Sequence, residues 1–94
     1  MIIVVVQHQC EDYDAWRPLF DEHGTVRRDY GCSSERVYRA VDHPNDIAVV
    51  MNYPSKDAAE GFMADPSLAE AMSRAGVIGA PTVTFGDRDA VPAP

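Results

Sequence analysis

The stretch that decides the fold is the N-terminal run Ile2–Gln9, IIVVVQHQ. Ile2 to Val6 are consecutive β-branched residues with no polar alternation. Such a run reads as a strand covered on both faces. It turns polar at Gln7, His8 and Gln9, which marks its carboxyl end. A second run of this kind, Ile47-Ala48-Val49-Val50-Met51, opens a strand expected over Ile47–Tyr53. Two strands that are apolar on both faces belong at the centre of a sheet, so the remaining elements must flank them.

Between these runs, Asp12–Gly31 (DYDAWRPLFDEHGTVRRDYG) has helical spacing. Trp16, Leu19, Phe20, His23, Val26, Arg27 and Tyr30 recur at three to four residues and form one stripe. Proline is tolerated in a first turn but kinks a helix deeper in. The segment from Asp12 to Arg17 therefore reads as a capping turn, with Asp12 or Asp14 as N-cap. The regular helix is expected from Trp16 or Pro18 to Tyr30, bent or closely packed at Gly24 and stopped by Gly31 in a left-handed cap. Arg27 and Arg28 beside Asp29 read as its solvated end.

Ser33–Val41 alternates, with Val37, Arg39 and Val41 on one face and Arg36, Tyr38 and Ala40 on the other, as in an edge strand. The turn residues Asp42–Asp46 join it to Ile47–Tyr53 as a hairpin. Ser55 caps a second helical region with Ala58, Ala59, Phe62 and Met63 on its stripe. Asp65-Pro66 restarts it, and Gly76 ends it, with Val77 folding back over the last turn. Thr82–Phe85 is a short last strand. The expected organisation is one domain over residues 1–86 and a flexible, Pro-rich tail over 87–94.

The order β-α-β-β-α-β is the ferredoxin-like, α+β arrangement with a four-stranded antiparallel sheet. Two helical regions cover only one face of such a sheet. The two-faced strands therefore call for a second copy, sheet against sheet, and a homodimer is expected. Cys10 follows the first strand and Cys32 precedes the second, which runs parallel to it. That puts the two cysteines at opposite ends of the sheet, so no disulfide is expected between them.

The chain has 94 residues and a net charge of −7. One modest core fits this length. An acidic surface repels phosphate backbones, which argues against nucleic acid. No basic face suggests a membrane surface. The N-terminus lacks a basic region and its apolar run is too short for a signal peptide or a span, so a cytoplasmic protein is expected. There is no Cys/His spacing for zinc, and His8-Gln9-Cys10-Glu11-Asp12 fixes no metal geometry. The chain has no Gly-rich phosphate loop and no nucleophile elbow.

Several local patterns together carry a resemblance. These are His8, Asp12-Tyr13, Trp16, Phe20-Asp21-Glu22-His23, Val37-Tyr38-Arg39, Asp42-His43-Pro44-Asn45 and Ala75-Gly76-Val77. Up to about Phe85 the chain resembles the dimeric α/β-barrel superfamily, which includes antibiotic-biosynthesis monooxygenases and small cyclase-like proteins, and within it a bacterial branch. The resemblance implies a dimeric α/β barrel and a cofactor-independent monooxygenase or cyclase. It also departs from the family. A histidine in the second helix is common among the monooxygenases and haem-degrading members, and Ser55–Ala75 contains none.

Two histidines can carry proton transfer near neutral pH: His8, at the end of the first strand, and His23, on the inward stripe of the first helix. Trp16, Phe20, Tyr38 and Phe62 could hold a flat ligand, with Arg39 pairing an anionic oxygen. Such a set suits proton transfer or ring closure on an aromatic or polyketide-like molecule, with no cofactor and no metal. The alternative is a non-catalytic ligand-binding or accessory dimer, in which the histidines are hydrogen-bonded fillers and the aromatics are core.

Overall fold

The computed structural model describes residues 1–87. Its elements are β1 (Ile2–Cys10), α1 (Tyr13–Glu22), α2 (Gly24–Asp29), β2 (Ser34–Arg39), β3 (Asp46–Tyr53), α3 (Lys56–Met63), α4 (Pro66–Arg74) and β4 (Val77–Asp87). The strands form one sheet in the order β2-β3-β1-β4, antiparallel throughout. This is the expected ferredoxin-like α+β fold, with β1 and β3 at the centre.

Register sorts the two faces. Val4 pairs with Met51 and Val6 with Val49, and these four are buried beneath the helices together with Trp16, Ala59 and Phe62. The other face carries the Val5–Val50 and Gln7–Ala48 pairs. There Ile3, Val5, Ala48 and Val50 are only half-buried, while Arg36 and Tyr38 are exposed. The apolar centre of the sheet is thus packed on one side and open on the other.

The first helical region differs from the expectation at its start and in its middle. Asp12 caps it by accepting the Asp14 N–H at 3.1 Å, so α1 starts at Tyr13 and Pro18 lies inside it. The N–H that proline lacks would have met the carbonyl of Asp14, an exposed residue whose backbone water can solvate. The helix then breaks at His23 instead of running on, and the buried Gly24 opens α2. Gly31 stops α2 at φ +90°, as its position suggests. Ser55 and Asp65 cap α3 and α4, with Pro66 at the first position of α4.

The last strand is longer than its sequence suggests. It begins at Val77, which is half-buried against the core, and runs to Asp87. Its pairing with β1 shifts between Gln7, opposite Thr82, and Gln9, opposite Ile78. Gly79, Ala80 and Pro81 lie in that bulge, where a proline deprives the ladder of no needed donor. This interruption conceals the first half of the strand from a reading by alternation. Of the tail expected over 87–94, Asp87 closes β4 and the rest lies outside the described residues. Cys10 and Cys32 are both free and buried.

Candidate functional site

The site is built where the carboxyl end of β1 meets α1. His8 lies two residues beyond Val6, on the same helix-facing side of the strand, with its ring 5.6 Å from that of Trp16. Its Nδ1 is 3.3 Å from the Gln9 carbonyl oxygen, which fixes Nδ1–H as donor and leaves Nε2 as the acceptor nitrogen. Burial lowers the His8 pKa from its ordinary 6.5 despite the opposing Gln9 bond. Trp16 and Phe20, one helical turn apart, stack at 4.8 Å between centroids.

His23 stands at the junction of α1 and α2, 6.0 Å from the Phe62 ring. Its Nε2 meets Ser67 Oγ at 3.0 Å. Burial and then the Arg27 charge lower its pKa, against the opposing pull of Asp65. Phe62, from α3, also stacks on Tyr53 at 5.8 Å and meets Tyr30 edge-on at 6.1 Å. These groups line a partly open apolar cavity of about 60 Å³ between helices and sheet. His8, Trp16, Phe20, His23 and Phe62 all line it, and Met63, Leu68 and Met72 form part of its helical cover.

The structure does not bring Tyr38 and Arg39 to this cavity. Tyr38 pairs with Ala48 on the open face of the sheet and is 52% exposed. Arg39 lays its guanidinium 3.8 Å over the Tyr13 ring and donates to the Pro44 carbonyl at 2.8 Å. Both border a second, wider hollow of about 610 Å³ with Gln7, Gln9 and Thr82. The candidate residues thus divide between two recesses. His8 borders both, because the β4 bulge lies opposite it.

Arg27 is the residue that sequence reasoning missed. It is not a solvated helix end: it is 3% exposed, whereas the Arg28 side chain is 61% exposed. Its guanidinium sits 3.8 Å over the Phe20 ring and donates to both Glu35 oxygens, at 3.2 and 3.4 Å. The signal was its place on the stripe, four residues after His23. Burial alone would raise the Glu35 carboxyl, but the Arg27 hydrogen bonds and charge outweigh it and hold the pKa below the ordinary 4.5. Glu35 thus stabilises the fold above that ordinary value, and its contribution is lost as pH falls through the native one. Removing one partner of a buried pair leaves a stranded charge. Glu35→Ala should cost about 3 kcal/mol in urea unfolding, the low end of the range because Glu35 keeps some access to water. Arg27→Met with Glu35→Leu should cost far less. Equal losses would show that the pair's charge plays no part.

Among the described residues, no group of three or more His, Cys, Asp or Glu is placed to hold a metal ion. No described helix is long and apolar enough to cross a membrane.

No protein-family model matches the chain, and no curated protein matches it in sequence. Solved structures do. An antibiotic biosynthesis monooxygenase superposes with a TM-score of 0.71 at 20% identity, over 98% of this chain and 100% of that one. SnoaB, a cofactor-independent oxygenase from Streptomyces nogalater, superposes at 0.75 with 13% identity, over 98% and 97%. Rv0793 from Mycobacterium tuberculosis superposes at 0.68 with 18% identity, over 99% and 100%. At these identities the likeness is one of architecture: the chain has the ferredoxin-like fold of the antibiotic-biosynthesis-monooxygenase-like structures.

Proposed function

We propose that this protein acts in the cytoplasm as a dimeric, cofactor-independent enzyme, an oxygenase or cyclase, on a flat aromatic or polyketide-like molecule. The observation that carries this reading is that His8 and His23 both line one aromatic cavity and that each keeps one ring nitrogen without a hydrogen-bond partner among the described residues. A neutral imidazole with a free lone pair is a base. Proton removal from a phenol, or from a carbon beside a carbonyl, gives a delocalised anion. Both ring closure and reaction with O2 can start from such an anion. Trp16, Phe20 and Phe62 supply flat walls. The likeness to SnoaB supports the reaction class.

A cavity of about 60 Å³ is smaller than the roughly 150 Å³ apolar cavity that takes up benzene. Ligand entry therefore requires the cover of Met63, Leu68 and Met72 to move, and unbranched methionines repack readily. The same volume favours a second reading, the non-catalytic ligand-binding or accessory dimer. In that case the hollow of about 610 Å³ beside Tyr38 and Arg39 has the size of a ligand site. The test is incubation of the purified protein with phenolic polyketide-like compounds, in air and under nitrogen, with product analysis by mass spectrometry. Turnover without added cofactor supports the enzyme. Binding without turnover supports the second reading.

The homodimer rests on the open sheet face with its Val5–Val50 pair. An obligate interface buries on the order of 2,000 Å² or more in total. Sedimentation at low micromolar concentration should give a dimer, and a stable monomer would refute the assembly.

A further inference from the structure

The hydrogen bonds at His23 continue past its ring. Ser67 Oγ, 3.0 Å from His23 Nε2, is also 2.5 Å from Asp65 Oδ1. The Tyr30 hydroxyl donates to Asp65 Oδ2 at 2.6 Å, and the Ser67 backbone N–H donates to Oδ1 at 2.8 Å. His23 is the α1–α2 junction and Asp65 is the cap of α4, so this chain joins two helix breaks.

Donor counting sets the directions. Hydrogen bonds from Ser67 and then Tyr30 hold the Asp65 carboxyl below its ordinary value, so it is ionised at neutral pH and only accepts. The single Ser67 hydroxyl proton therefore goes to Asp65. Ser67 Oγ must then accept from His23, which carries its proton on Nε2. Nδ1 is left with a free lone pair and no partner among the described residues. Ser67 is not a nucleophile in this arrangement, because its proton is directed to the carboxylate and the histidine cannot take it.

We propose that Ser67 and Asp65 are positioning residues, holding His23 in the Nε2–H tautomer and in one orientation so that Nδ1 serves as the cavity's proton acceptor. The inference rests on the reading of His23 as a base. The charged groups around His23 are Arg27 of α2, which disfavours the imidazolium, and Asp65, which favours it. His23 also borders a surface cleft with Glu22 and Arg74. Tyr30 shares Asp65 with Ser67, donating to the other carboxylate oxygen and drawing off part of its charge.

The test is a nitrogen-15 NMR titration of the histidines in the full chain, for wild type and four variants. Wild type should show the Nε2–H tautomer at His23. Ser67→Ala should lower the His23 pKa while keeping the helix cap, since the backbone N–H remains. Asp65→Asn should lower it too. Ser67→Thr should restore the wild-type curve, and Tyr30→Phe should raise the pKa by returning Asp65's charge to the chain. A merely structural role would change melting temperatures and leave the titrations alone. A wild-type Nδ1–H tautomer, or a Ser67→Ala curve that superimposes on wild type, overturns the proposal. Turnover is scored separately. If the titrations behave as described while His23→Ala turns over normally, the positioning stands and the reading of His23 as a base fails.

Discussion

His8→Ala and His23→Ala should each lower the turnover of an accepted substrate by about 100-fold or more, the low end of what a general base contributes, and leave the fold intact. Both residues line one cavity, and each keeps one ring nitrogen without a partner among the described residues. Their pKa values lie below the ordinary 6.5, chiefly through burial. The acidic limb of kcat/KM should accordingly fall below pH 6.5, with activity flat above it. Stability has the same sign. The unfolded chain takes up these protons near 6.5 and the native chain only at lower pH, so stability declines as pH falls from 6.5 through the native values. If the histidines only fill space, the variants should instead lose about 1–3 kcal/mol where a buried partner is stranded, with turnover unchanged. Thermal melts and steady-state kinetics on the same preparations separate these outcomes.

Phe62→Ala should be strongly destabilising, at about 3–5 kcal/mol. Phe62 is 2% exposed and contacts Tyr53, Tyr30 and His23, so its loss removes packing from three rings at once. It also adds the volume of a phenyl ring to a cavity of about 60 Å³. Benzene or a simple phenol should then bind the variant and raise its melting temperature, since a ligand specific for the native state stabilises it. Wild type should show no such rise with benzene. A loss under 1 kcal/mol would mean that the α3 cover collapses freely into the space.

The sequence is most legible where period and caps agree. The two-faced runs at Ile2–Val6 and Ile47–Met51 correctly locate the central strands, and Ser55, Asp65 and Gly31 correctly mark helix ends. Legibility fails where tertiary context overrides a local rule. Pro18 is tolerated inside α1 because the carbonyl it leaves unpaired belongs to an exposed residue. The bulge at Gly79–Pro81 breaks the alternation of β4. For the candidate site, stripe position groups Trp16, Phe20 and His23, and all three line one cavity. Alternation places Tyr38 and Arg39 on opposite faces of β2, and both border the wider hollow instead of the helix-covered cavity. Arg27 looks like surface because arginine usually is, and only its stripe position hints at burial against Phe20. The contact between Ser67 and His23, 44 residues apart, has no sequence signal at all.

The central claim is that the ligand site lies under the helices and not on the open sheet face. Trp16 is the only tryptophan in the chain and forms part of the cavity wall, so its fluorescence reports on the claim directly. Titrating a bound polyketide-like compound into wild type should quench Trp16 saturably, with the effect weakened by His23→Ala and untouched by Tyr38→Ala. Saturable binding that leaves Trp16 unchanged and disappears in Tyr38→Ala would contradict the account and move the site to the other face.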